Sequence, residues 1–298
     1  MKKYLKVLLI STILIMICFY PVQSNEFNFK TKNIVFLSPH PDDVPLTFGG
    51  LLLVSEGFKD KNVTVSTFFN RSQYTDNCEL WNLSLKRINT VTETRFKEDL
   101  ESLSNIFNDG TNARFEYYGF NDSIIRHYQG KKTAGGGPWG DFSTFKEPER
   151  QAFDQIKGII KSKLIIPDIT IFLLMANGQH IDHFIVREAL IAAVKELGTE
   201  KLKATIYFGE DQPYTGANPN ESKSDIEYLT NRLHLEPIAY PINIDEKLKL
   251  FTDYYYSQYC DSYIKDTTAR YDLLGGKEQI YLWPSKYYNN ISKDRSEK

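Results

Sequence analysis

At 298 residues with 41% hydrophobic and 25% charged side chains, the chain can close a packed core, which excludes global disorder. The formal net charge is −2 and the charges are spread without a basic stripe, so nucleic acid is not an expected partner. The first residues read as a targeting segment: Lys2, Lys3 and Lys6 precede an almost unbroken apolar run of 14 residues over 7–20. Val22 and Ser24 then stand at the −3 and −1 positions of a cleavage point before Asn25. The run is shorter than the roughly 20 residues that span a bilayer. A signal peptide over 1–24, and hence a secreted, lumenal or periplasmic protein, is expected. The alternative is an uncleaved segment that anchors the chain, which is the one route to membrane contact. Cleavage would remove three lysines and no acid, moving the charge from −2 to −5. Cys78 and Cys260 would remain, and an exported protein could pair them.

Residues 33–38 form a short run of β-forming apolar residues ended by proline and predict a buried strand. Gly49-Gly50 before Leu51 suggests a tight turn into an apolar helix. A second strand is expected over 63–69. Helical spacing runs over 78–107, a length that invites a break near Asn89-Thr90. A third strand follows over 113–120, closing at Gly119. Residues 129–138, with Gly130, Gly135, Gly136 and Gly137, read as a loop. Then come a helix over 148–160, a strand over 168–175, a helix over 183–197 stopped by Gly198, and a strand over 204–208. From Asp211 onward the chain reads as irregular and aromatic, packing on the same domain. Strands alternate with helices up to residue 208, which predicts an α/β fold with a mostly parallel sheet and helices on both faces.

Such sheets bind ligands beyond the carboxyl ends of their strands. Two motifs fall there. Ser38-Pro39-His40-Pro41-Asp42-Asp43 follows the first strand, and His180-Ile181-Asp182-His183 follows the fourth. Alone, the first motif fits either a divalent-metal half-site or a turn with a solvated carboxylate pair. The second motif shifts that balance, because two of the five histidines lie in one four-residue window. Two histidines and a carboxylate leave coordination positions open for water and substrate, as a catalytic metal site requires. A further carboxylate beside such an ion can act as a proton acceptor. No glutamate stands where the helix motif of zinc proteases needs one.

At these residues the sequence resembles the PIG-L/LmbE family of metal-dependent N-deacetylases. The resemblance rests on Pro39-His40-Pro41-Asp42-Asp43, on Gly49-Gly50, on Arg95-Phe96-Lys97-Glu98 and on His180-Ile181-Asp182-His183. It covers roughly residues 33–210 and weakly the extension over 211–298, within one domain over 25–298. It implies a Rossmann-like fold and a divalent ion, zinc or another first-row metal, held by His40, Asp43 and His183. Asp42 would be the general base. His180 would stabilise the oxyanion or protonate the leaving amine, with Asp182 orienting a histidine. Arg95 would hold a polar substrate group, unless it forms a surface salt bridge with Glu98. Asp122 stands at either a sugar-hydroxyl acceptor position or an ordinary turn. Glu210-Asp211 before Pro213-Tyr214 resembles a family segment of unclear role. Two departures are visible. Val44 replaces a glutamate usual after the Asp pair, and Gly178 stands where some family deacetylases carry a tyrosine that polarises the carbonyl. Either His180 and the metal act alone there, or another group supplies that function. The resemblance implies a hydrolase that removes the N-acetyl group of an N-acetylglucosamine-like sugar or glycoconjugate. The alternatives are a non-catalytic metal- or carbohydrate-binding member of the fold, or a hydrolase of a different amide.

Overall fold

The computed structural model describes residues 27, 29–54, 56–75, 85–108, 110–126, 147–198, 200–258 and 261–289. The expected signal peptide, the loop over 129–138, His127, Cys78 and Cys260 lie outside the described residues. Seven strands form one sheet: β1 (Asn33–Ser38), β2 (Asn62–Thr67), β3 (Asn112–Tyr117), β4 (Ile169–Leu174), β5 (Thr205–Gly209), β6 (Glu236–Pro241) and β7 (Lys277–Trp283). Their spatial order is β3-β2-β1-β4-β5-β7-β6. The first five are parallel, and β7 joins β5 and β6 antiparallel. The strand order reverses between β1 and β4, which opens a crevice at their carboxyl ends. Both histidine motifs emerge there.

Alternation along the strands divides the core into two layers. Val35, Leu37, Ile171 and Leu173 face one side, packed with α3 (Glu147–Leu164) and α4 (Ile181–Leu197). Ile34, Phe36, Phe172 and Leu174 face the other, packed with α1 (Asp43–Val54) and α2 (Leu85–Ile106). Every residue of β4 is buried, as a strand covered on both faces requires. Phe36, Phe172 and Tyr207 sit side by side in register on β1, β4 and β5, with centroids 4.9 and 5.2 Å apart and near-parallel rings. Phe36 and Phe172 are fully buried, at about 1.5–3 kcal/mol each, and the ladder ties the three strands that carry the site.

Three expectations change. Gly49 and Gly50 lie inside α1, not in a turn before it. A Cβ on Gly50 would stand 2.5 Å from Ile242 Cγ2 and 2.8 Å from Glu278 Oε2, so the glycines serve close packing. α2 runs unbroken through Asn89 and Thr90. The region after Asp211 is not irregular. It contains α5 (Tyr214–Ala217), α6 (Pro219–Leu233), α7 (Ile244–Thr252) and α8 (Asp261–Leu273), besides β6 and β7. β6 carries Pro237 and Pro241, which an edge strand tolerates and a central one does not. Among the described residues no helix is long and apolar enough to cross a membrane.

Candidate metal centre

β1 ends at Ser38, whose hydroxyl donates to the His40 carbonyl at 2.7 Å and folds the chain sharply. The His40 amide donates to Asp43 Oδ2 at 2.7 Å, bringing the two side chains together. From β4, the chain passes through Ala176 and Gln179, both at positive φ (57° and 58°), to His180, the N-cap of α4. His183 then lies one turn into that helix.

Three atoms converge. His40 Nδ1 is 3.1 Å from His183 Nε2 and 3.4 Å from Asp43 Oδ2, and His183 Nε2 is 3.5 Å from Asp43 Oδ2. Zinc-type bonds of about 2.0–2.1 Å at tetrahedral angles put ligand atoms about 3.3–3.4 Å apart, so this triangle fits a first-row divalent ion. The outer nitrogens of both rings are engaged by carboxylates. His40 Nε2 donates to Asp182 Oδ2 at 3.0 Å, and His183 Nδ1 donates to Asp211 Oδ2 at 3.1 Å. These bonds fix the tautomers that turn both lone pairs toward Asp43. All three residues are buried, so three electron-pair donors meet away from water and call for a cation. Titration agrees. Burial pulls His40 down, but Asp182, Asp43 and Asp122 outweigh it and raise its pKa to about 10. Burial is likewise outweighed at His183, which Asp43 and Asp211 push up. Asp43 is held below the usual carboxylate range by His183 and His40, against its burial.

His180, His40 and His183 also form a group with ligand atoms within 4.8 Å of one another. The Asp43 set differs from this group in supplying a negative charge. The His180 Nδ1 accepts the Asp182 amide at 3.2 Å. Burial, then His183 and His40, hold this imidazole neutral, so its proton is on Nε2, where it is a hydrogen-bond donor.

Asp42 is 7% exposed and stands at φ 98°. Burial pushes its carboxyl up to about 8, with Asp43 and Asp99 adding to the rise and Arg95 and His40 opposing it. Asp182 accepts from His40 Nε2 at 3.0 Å. It also accepts from the Ser123 amide at 3.0 Å and from Arg126 Nη2 at 2.6 Å. Burial is overcome there by Arg126 and His40, which hold it well below the usual range. Arg95 is buried, not in a surface pair with Glu98. Its guanidinium donates to the Pro41 carbonyl at 3.2 Å and to Ser72 Oγ at 3.1 Å. Glu98 instead accepts from the Ser257 amide and hydroxyl and from Gln258. Asp122 has the contacts of a turn aspartate, accepting from Ser72 Oγ, Ser123 Oγ and the Ile124 amide.

Two residues enter that the sequence did not assign. Asp211 is the second carboxylate behind the ligands, and its other oxygen accepts the Ala176 amide at 3.0 Å. Its place just beyond the carboxyl end of β5, the strand next to β4, is the signal that could have found it. Tyr214 occupies the space beside Gly178. A Cβ at 178 would lie 2.4 Å from Tyr214 Cδ2, and the tyrosine ring packs 5.9 Å from the His183 ring.

Residues 35–194 match the family model described as PIG-L, GlcNAc-PI de-N-acetylase. No curated protein matches the chain. Among solved structures, the zinc-inhibited form of teicoplanin deacetylase Orf2 superposes with TM-score 0.54 at 18% identity, over 84% of this chain and 97% of that one. A deacetylase–teicoplanin complex gives 0.53 at 19% identity, with the same coverage. The A40926 pseudoaglycone deacetylase Dbv21 gives 0.50 at 18%, over 85% of this chain and 97% of that one. At these identities the likeness is one of fold.

Proposed function

The chain belongs to the PIG-L (GlcNAc-PI de-N-acetylase) family, and from that premise we propose that it is a metal-dependent hydrolase that removes an N-acetyl group from an amino sugar or glycoconjugate. The observation that carries this reading is the triangle of His40 Nδ1, His183 Nε2 and Asp43 Oδ2, with edges of 3.1–3.5 Å, beside the buried carboxylate of Asp42. The sugar part of the reading rests on the family.

When bound by these three residues, a divalent ion, zinc first among the candidates, supplies Lewis acidity that lowers the pKa of water and polarises a carbonyl. The Asp42 carboxylate takes the proton of the attacking water. Burial raises its proton affinity above that of an ordinary aspartate, and the charge of a bound ion would keep it ionised at neutral pH. The neutral His180 donates from Nε2 to the oxygen on which negative charge develops. The proton collected on Asp42 then passes to the leaving amine, so acetate and a free amine result. Asp182 and Asp211 keep His40 and His183 in the tautomers that bind cations.

The test is amine release from a panel of N-acetylated sugars and glycolipids. Wild-type protein should lose activity to a chelator and recover it with zinc. Asp42→Ala should keep its metal and lose about 10²–10⁴-fold in kcat, the usual contribution of a general base. Full activity in Asp42→Ala sinks the base assignment. Metal uptake without turnover on any substrate would favour a binding protein.

A further inference from the structure

A non-glycine residue at φ 98° is strained and persists only where its surroundings hold it. At Asp42 the holding groups lie on α2. The peptide between Pro41 and Asp42 is gripped at both ends. Its carbonyl accepts from Arg95 Nη2 at 3.2 Å, and its N–H donates to Asp99 Oδ1 at 3.4 Å. The C=O and N–H of a trans peptide point in opposite directions. Arg95 and Asp99 are four residues apart, so they rise from one face of the helix. A donor at one end and an acceptor at the other leave one orientation of the peptide plane satisfied and the flipped one not.

The grip is itself braced. Asp99 is 2% exposed, and its carboxylate receives Tyr255 OH on Oδ1 at 2.7 Å and Tyr117 OH on Oδ2 at 2.8 Å. Arg95 is 3% exposed, its other terminal nitrogen is held by Ser72, and Nη2 also pairs with Asp42 Oδ1 at 3.7 Å, so it bears on the carboxylate as well as on the peptide. α2, β3 and the segment after α7 thus all bear on one peptide. We propose that Arg95 and Asp99 form a clamp that sets the Asp42 backbone and so the direction of its carboxylate. The clamp's catalytic consequence rests on the reading of Asp42 as base. Both are positioning residues.

Three variants test it. Asp99→Leu keeps the bulk and removes the acceptor, Asp99→Asn keeps an acceptor oxygen, and Arg95→Met removes the donor at the other end. Crystal structures should show Asp42 at negative φ in Asp99→Leu and at positive φ in Asp99→Asn. With zinc content unchanged, Asp99→Leu should lower kcat by about 10²-fold, the scale of an ångström of misplacement, while KM holds. Asp99→Asn should restore most of the loss, which a merely structural role would not predict. Asp42 still at positive φ in Asp99→Leu overturns the clamp, as does equal kcat in the Leu and Asn variants. Should Asp99→Leu fail to fold, Arg95→Met gives the same φ readout. If the wild type hydrolyses no amide, the proposed function fails, and the φ readout still decides the clamp.

Discussion

A proton and a metal ion compete for the same two nitrogens. In the ion-free chain, His40 is protonated up to about pH 10, because Asp182, Asp43 and Asp122 outweigh its burial. Its Nε2–H belongs to Asp182, so the proton that must leave for an ion to bind is the one on Nδ1. Binding at neutral pH therefore releases protons. The sign follows: affinity rises with pH, by about tenfold per unit for each proton displaced, and levels off only above the His40 pKa. Zinc titration calorimetry in buffers of different ionisation heat should give a proton count of at least one at pH 7, and a count of zero would contradict the ligand set. The carboxylates behind the ligands make a second prediction. Both oxygens of Asp211 accept from donors, His183 Nδ1 and the Ala176 amide. An amide side chain must turn its NH₂ toward one of them. Asp211→Asn should thus weaken zinc binding by about 10–100-fold, read by competition with a chromophoric chelator, with little loss of secondary structure. At this scale the sequence showed the ligand candidates, because histidines are few and two of them cluster. It did not show what stands behind them. Asp99 is an ordinary acid in the sequence and Asp211 belongs to a segment without a stated role, and only the meeting of β1, β4, β5 and α2 gives them their partners.

The elements through β5 were legible because their signals are local: apolar runs of strand length, helical spacing, and Gly198 closing α4. Gly49-Gly50 was misread because a glycine pair usually marks a turn. Here the reason for glycine comes from far along the chain, where Ile242 and Glu278 press against α1. That packing gives a graded prediction. Gly50→Ala gains about 1 kcal/mol of helix propensity but inserts a methyl 2.5 Å from Ile242 Cγ2 and 2.8 Å from Glu278 Oε2. Glu278 can yield little, because it also takes Lys247 Nζ and Tyr240 OH. Overpacking of this kind costs about 1–3 kcal/mol, so Gly50→Ala should be destabilising. Gly49→Ala meets Lys247 Cγ at 3.1 Å and Leu250 Cδ1 at 3.3 Å, both milder approaches, and should cost less than Gly50→Ala. Paired urea melts that show both variants equally stable would mean α1 can shift away from β6 and β7.

Across the whole molecule, the family match ends at residue 194, inside α4, and leaves β5 and everything after it unaccounted for. The last third of the chain reads as irregular because its elements are polar helices and a proline-bearing edge strand, and their apolar residues find partners only across the fold. Yet that third completes the site. β7 covers β5 from Ile206 opposite Trp283 to Gly209 opposite Ile280, with Trp283 and Ile280 fully buried. Arg270 and Tyr281 hold Glu210, Ser257 and Gln258 hold Glu98, and Tyr255 holds Asp99. A chain ended at residue 210 would keep His40, Asp42, Asp43, His180, Asp182 and His183 but lose Asp211. It would leave β5 as an open apolar edge, a surface that invites pairing with other chains. Glu98 and Glu210 would lose these donors and the cover that buries them. The truncated chain should therefore collect in the insoluble fraction, or bind hydrophobic dyes without a cooperative melt, while the full chain melts in one transition. A soluble, cooperatively melting fragment that binds zinc as tightly as the full chain would show that the last third is an attachment and not part of the folding unit.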